Sequence, residues 1–271
     1  MTEQVARPES PAGFAVFPLR FTAHPAAMID VLRTLGMAPL ITTEDGGFAD
    51  LVAGGGGRVM IHSAAGSATG APAGETQLST AVRSADAAAE QLREAGLEMI
   101  VWDESYGRQG NITGPHGEAI GLNEDQSDPY GYLAHDGAGA DPRLTVVAVR
   151  ASAAGAEREK DVELFSALGF RPDGHGDESW TRLASAGGGT IGLHQPEEGW
   201  AAARPGDVGG ADLLVSLVRL GFETTEDLSA LAERLRAAGH PAEHVVTGGI
   251  AAVHVTDPDG QRLEIHAAPA A

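Results

Sequence analysis

The chain has 271 residues, with 38 acidic side chains against 18 basic ones and a formal net charge of −20. That acidity leaves no basic face for phosphate neutralisation, which excludes nucleic-acid binding and disfavours docking on an anionic membrane. Cysteine is absent, so disulfide frameworks and thiolate chemistry are excluded as well.

Residues 1–13 are polar and proline-containing, lack the apolar run of a signal peptide, and read as a disordered lead-in. No later stretch reaches membrane-spanning length, so a cytoplasmic location is the expectation. A strand at 19–22 is followed by a helix at 25–35 closed by Gly36, then by short strands at 39–43, 48–53 and 58–62. The next strand, at 76–82, leads to a helix at 86–95 closed by Gly96, and to strands at 98–103, around Ile112 and at 119–123. A polar, Gly- and Pro-containing stretch, 125–142, reads as a linker. Beyond it come a strand at 144–149, a helix at 157–168 closed by Gly169, and strands near 180–183 and 190–194. A last strand at 213–220 precedes a helix at 226–238 closed by Gly239 and strands at 242–246, 251–256 and 262–266. Each helix stops at glycine, which tolerates the left-handed conformation a helix end favours. Leucines at 228, 231 and 235, and apolar residues at 162, 165 and 168, supply buried helix faces.

The pattern is one unit copied four times. Met60-Ile61-His62, Gly121-Leu122-Asn123, Gly192-Leu193-His194 and Glu264-Ile265-His266 close the four copies. The spacings of their third residues are 61, 71 and 72. Gly54–Gly57 and Gly187–Gly189 each precede a closing strand, so they read as hairpin turns; a phosphate loop would lead into a helix.

Asp257-Pro258-Asp259-Gly260-Gln261-Arg262-Leu263-Glu264-Ile265 resembles the closing segment of the vicinal oxygen chelate superfamily, which includes glyoxalase I, bleomycin resistance proteins and extradiol dioxygenases. Gly114-Pro115-His116-Gly117-Glu118 looks like a decayed copy of it, and the Leu-Gly-Phe and Leu-Gly-Met helix stops at Gly169 and Gly36 are similar to the family's first helix. The resemblance implies an α+β fold of two tandem domains, 14–124 and 143–268, each built of two βαβββ units on a curved, incompletely closed eight-stranded sheet. It also implies a place for a divalent metal held from the first and last strands of paired units. The last-strand positions here are Met60, Gly121, Gly192 and Glu264. First-strand ligands are expected near 19–21 and 143–145, which hold no histidine or carboxylate; Gln77 and Asp212 are the remaining candidates. No metal and no cofactor are therefore expected at the family position.

Residues two apart on a strand share a face, so His266 is expected beside Glu264, His194 beside Gly192 and His62 beside Met60. Glu264 has two readings: a relic of a metal site now binding a ligand, or a carboxylate satisfied by a nearby arginine or backbone N–H. A separate metal site from His194, His266 and Glu264 is conceivable. The glycines at 121 and 192 make room, and Trp102, Trp180, Trp200 and Tyr106 are candidates for stacking on an aromatic ligand. Two functions follow. One is a metal-free protein that binds an aromatic, neutral or cationic small molecule, such as an antibiotic or another natural product, through Glu264, His266, His194, Gly192 and Trp180, with His62, Gln77, Asn123 and Trp102 as further candidates. The other is a lyase, isomerase or dioxygenase-like enzyme around Glu264. A four-unit chain can close its cavities internally, so a monomer is expected, with a homodimer the alternative.

Overall fold

The computed structural model describes residues 13–67, 69–104, 107–125, 131–185, 187–196 and 217–269. The first half contains β1 (Ala15–Val16), β2 (Leu19–Thr22), α1 (Pro25–Leu35), β3 (Ala38–Thr42), β4 (Phe48–Val52) and β5 (Arg58–Ser63). It continues with β6 (Thr76–Gln77), β7 (Ser79–Val82), α2 (Ala85–Glu94), β8 (Met99–Glu104), β9 (Gly107–Thr113) and β10 (Ala119–Glu124). The connecting stretch supplies β11 (Leu133–Ala134), which adds to the edge of β3, so part of the expected linker is a strand. The second half comprises β12 (Leu144–Ala151), α3 (Ala156–Ala167), β13 (Arg171–Gly176), β14 (Trp180–Ala184) and β15 (Thr190–His194). It ends with β16 (Val218–Thr224), α4 (Leu228–Ala237), β17 (Ala242–Thr247), β18 (Ile250–Thr256) and β19 (Arg262–Ala267).

Each copy folds as strand, helix and three strands, with its first strand parallel to its last. In the second half the copies join through the antiparallel pair β12–β16, giving one eight-stranded sheet in the order β13-β14-β15-β12-β16-β19-β18-β17. The first half has the same plan, but its sheet is split into two. Val16 lies opposite Thr80 and Leu19 opposite Gln77, so the ladder keeps a single register across the gap. The gap falls at Pro18, which has no N–H to donate.

The helices begin and end where local chemistry dictates. Asp227 accepts the Ala230 N–H at 2.9 Å and caps α4. Gly36 stops α1 at φ +116. Leu228, Leu231 and Leu235 of α4 are buried as the sequence suggests, whereas α3 buries Arg158 and Asp161 alongside Leu164 and Phe165. Two strand placements are corrected. The fourth copy's first strand, β16, spans 218–224 and runs past the expected end at Leu220, while 213–216 of the expected strand lie outside the described residues. The Arg171–Gly176 stretch, to which the sequence assigns no element, pairs with β14 across a bulge. No helix among the described residues is long and apolar enough to cross a membrane.

The halves meet through an approximate exchange of like parts. Arg20 lies beside Ile61 on the last strand of its copy, as Arg150 lies beside Leu193. The closing turn of the fourth copy grips Arg20 through Asp257, and the closing segment of the second copy grips Arg150 through Glu118 at 2.5 Å. The two glycine turns form the joint between these grips. Gly55 N–H donates to Leu144 O at 2.8 Å, Val146 N–H to Gly56 O at 3.0 Å and Val16 N–H to Gly188 O at 2.7 Å. A Cβ on Gly57 would sit 2.7 Å from the Cβ of Val146, on a backbone at φ +83. Gly57→Ala is therefore expected to destabilise the fold by about 1–3 kcal/mol, read as a lower urea midpoint at unchanged m-value.

Candidate functional site

Strand alternation sets the concave face of the second-half sheet. Val147 and Val149 of β12, Arg219, Gly221 and Glu223 of β16, and Glu264 and His266 of β19 look inward, with Trp180 and Arg182 of β14 and His194 of β15. They bound a cavity of about 610 Å³, to which Arg20, Gly74 and Thr76 of the first half also contribute. The face combines an apolar floor with charged groups that are already paired. The Arg182 guanidinium holds Glu223 through three hydrogen bonds, Nε to Oε1 at 2.9 Å and to Oε2 at 3.2 Å and Nη2 to Oε2 at 2.7 Å, and donates to Thr190 Oγ1 at 3.1 Å. Glu264 lies 2.7 Å from Arg262 Nη2, and its Oε2 is 3.2 Å from His266 Nε2. The hydrogen bond with His266 outweighs burial and, with Arg262 and His254, holds the Glu264 carboxyl down to about 2.

The residues singled out by sequence fall in different places. Glu264, His266, His194 and Trp180 share the large cavity. Gly192 does not line it. A Cβ there would lie 1.9 Å from Trp180 Cη2, so the indole itself occupies the room the glycine makes. Trp180 also packs edge-on against His194, with centroids 5.8 Å apart. Met60, His62 and Asn123 line a second pocket, of about 80 Å³, in the first half. Burial lowers the His62 pKa, and the ring packs against Phe21 and Phe48. Asn123 hydrogen bonds to Ser79. Arg58, paired with Asp50 and stacked 4.6 Å over Phe17, also lines that pocket.

Gln77 and Trp102 line neither cavity. Gln77 Nε2 is taken by Glu75 at 2.6 Å, and Trp102, on edge strand β8, donates to Glu104 at 2.7 Å. Trp200, Tyr106 and Asp212 lie outside the described residues. The sequence reading missed Arg182, Glu223 and the contribution of Arg20. The alternation of β16 carried a signal for Glu223; nothing local points to the other two.

Residues 156–265 match the model of the Glyoxalase/Bleomycin resistance protein/Dioxygenase superfamily. The match covers most of the second half of the chain. The chain also resembles solved extradiol dioxygenases along nearly its whole length. The 2,3-dioxygenase LapB from Pseudomonas sp. KL28 is 12% identical, with 94% of this chain and 91% of that one covered at a TM-score of 0.57. Homoprotocatechuate 2,3-dioxygenase from Arthrobacter globiformis is 16% identical, with 98% and 84% covered at 0.53. The enzyme of that name from Brevibacterium fuscum, in complex with 3,4-dihydroxyphenylacetate, is 12% identical, with 98% and 85% covered at 0.56. At these identities the likeness is one of fold. No curated protein sequence matches the chain.

Within this superfamily fold, the first and last strands of paired copies meet at the centre of the concave face. In the second half, Gly221 lies opposite Val147 and beside Glu264, and Gly192 lies beside Val149. The first-strand position is thus Val147–Val149, not 143–145 as the sequence suggests, and no donor stands there. In the first half the corresponding residues are Leu19 beside Met60, Gln77 opposite Leu19, and Ser79 beside Gly121. A single paired carboxylate in one half, and an amide with a hydroxyl in the other, do not fit a divalent ion that needs about three or four protein donors. His194, His266 and Glu264 do not converge on one point either: the group of three histidine or carboxylate ligand atoms within 4.8 Å of one another, among the described residues, lies outside this cavity.

Proposed function

We propose that the protein binds a small aromatic molecule bearing a hydroxyl or amine in the second-half cavity, with no metal at the superfamily position. The class includes antibiotics and other aromatic natural products. The carrying observation is the cavity of about 610 Å³ in which Trp180 and two valines stand beside the polar cluster of Glu264 with Arg262 and His266, while Arg182 and Glu223 satisfy each other. That volume and lining suit a drug-sized ligand held by a few oriented polar groups. The carboxylate can accept from the ligand while Arg262 or His266 donates to it, which favours a neutral hydroxyl-bearing ring over a strongly cationic one.

The test is a thermal-shift screen of phenols and aromatic amines, since a ligand that binds the native state raises the melting temperature. For a confirmed hit, Glu264→Gln is expected to weaken binding by roughly tenfold or more, because a hydrogen bond to a charged group contributes about 1.5–3 kcal/mol. Glu264 stays ionised far below its ordinary range, so its recognition is expected to hold from pH 8 down to pH 4. The sign is that of a lowered carboxyl: its stabilisation is full above the unfolded value and is lost as pH falls towards about 2. Hits that bind Glu264→Gln and Trp180→Ala as tightly as wild type would remove this site from consideration.

A second reading is enzymatic, and the His266–Glu264 hydrogen bond, open to the cavity, favours it. A carboxylate held near 2 is too weak a base near neutral pH, so the proton would go to His266, with Glu264 orienting the ring. Mass spectrometry of incubated hits decides: a product that disappears in His266→Gln supports catalysis, and unchanged ligand supports binding alone.

A further inference from the structure

The most conspicuous group of uncommitted polar atoms lies at the joint between the halves, where the turn at 114–117 meets α3. His116, Glu157 and Asp161 each bring one ligand atom within 4.8 Å of the other two. His116 Nε2 is 3.7 Å from Glu157 Oε1. The Asp161 side chain is 0% exposed. Its Oδ1 accepts from Arg150 Nε at 2.9 Å, while its buried Oδ2 has no well-formed hydrogen bond, with only the Ser152 hydroxyl near the carboxylate. The buried Nε2 of His116 has no hydrogen-bond partner either. Leaving such atoms unsatisfied costs about 1–3 kcal/mol each.

The chain carries its own comparison. His116 stands where the closing turn of the fourth copy has Asp259, and, counted back from the glycine stops Gly36 and Gly169, Asp161 stands where α1 has Met28. That other joint closes on Arg20, Asp257 and Asp259, with Met28 fully buried. A joint of this kind therefore needs neither an imidazole nor a buried helix carboxylate, yet this one has both. Charge points the same way. Glu118 and Asp161 pair with the guanidinium of Arg150, Glu157 lies beside His116, and Arg158 acts on both Asp161 and Glu157, which leaves one negative charge in excess when His116 is neutral.

We propose that His116, Glu157 and Asp161 hold one divalent first-row transition-metal ion, which clamps the closing turn of the first half to α3 of the second. One imidazole and two carboxylates suit that class of ion. The outer contacts are in place: Arg150 orients Asp161 through Oδ1, and Ala153 N–H donates to Glu157 Oε1 at 2.8 Å. Glu157 is 38% exposed, which gives the ion an entry path. Bonds of about 2.0–2.2 Å would draw the ligand atoms to separations of roughly 3.3 Å, a closure on the order of 1 Å for a turn and a helix end. This site is separate from the concave face and does not depend on the ligand proposed there.

The full chain, purified without a metal-affinity tag and stripped with a chelator, is to be dialysed against zinc and, separately, against manganese. About one equivalent of metal and a higher melting temperature are expected. His116→Gln and Glu157→Gln should each weaken binding by roughly tenfold or more at unchanged circular dichroism, while His194→Gln, in the ligand cavity, binds as wild type. The proposal is overturned if wild type takes up neither ion stoichiometrically, if both joint variants bind as tightly as wild type, or if binding is lost with His194→Gln instead.

Discussion

Arg20→Ala is expected to lower the unfolding free energy by about 3–5 kcal/mol, the cost of leaving one charge of a buried pair uncompensated. The Arg20 side chain is 4% exposed and its partner Asp257 0%. Asp259 stands 3.8 Å away as a second carboxylate, and Thr76 Oγ1 accepts from the guanidinium at 3.3 Å. Asp257 cannot turn elsewhere for compensation, because its Oδ1 already accepts the N–H groups of Asp259 at 3.0 Å and Gln261 at 2.8 Å. For a chain of this size the loss corresponds to a fall in melting temperature of roughly 6–20 °C. Burial pushes the Asp257 carboxyl up even against the pull of Arg20 and of the Gln261 and Asp259 N–H groups, and loss of Arg20 pushes it up further. Without Arg20 the folded protein binds this proton more readily than the unfolded chain, so acidification favours the folded variant. The deficit against wild type should therefore narrow between pH 8 and pH 5. A deficit that stays constant over that range would mean that lost packing, not the stranded carboxylate, sets the cost.

The same region shows what the sequence made legible. The four copies, their glycine stops and the Asp257-Pro258-Asp259-Gly260 turn are local signals, and each fixes an element on its own terms. Glu264 and His266 were readable as neighbours because strand geometry puts residues two apart on one face. Other features depend on partners distant in sequence. Arg182 finds Glu223 across 41 positions, and Arg20 finds Asp257 across 237. The expected first strand of the fourth copy stops at Leu220, which hid Gly221 and Glu223 on the inner face. Pro18 breaks the first-half ladder, yet only the structure shows that the register survives it. The glycine turns were legible as turns. That they are where the two halves touch was not, because close approach depends on the residue facing the glycine.

Gly192→Leu is the second large effect, and it tests the relation the sequence hid most completely. A side chain there cannot coexist with the indole: its Cβ would fall 1.9 Å from Trp180 Cη2 and 2.6 Å from Cζ2 and Cζ3. Gly192 lies on β15, which is paired on both sides by β12 and β14, so it is the indole that swings away. Its displacement ends the edge-on contact with His194 and moves a large ring within or out of the cavity. Overpacking of this kind typically costs about 1–3 kcal/mol. A changed tryptophan emission and at least a roughly tenfold loss of affinity for aromatic hits are expected with it. The decisive measurement is a double-mutant cycle with Trp180→Ala, which removes the ring that the new side chain strikes. If the contact is as the structure has it, Gly192→Leu costs much less in the Trp180→Ala background, with a coupling of about 0.5–3 kcal/mol. Simple additivity of the two changes would mean that Trp180 does not rest on Gly192, and the cavity wall would have to be redrawn without it.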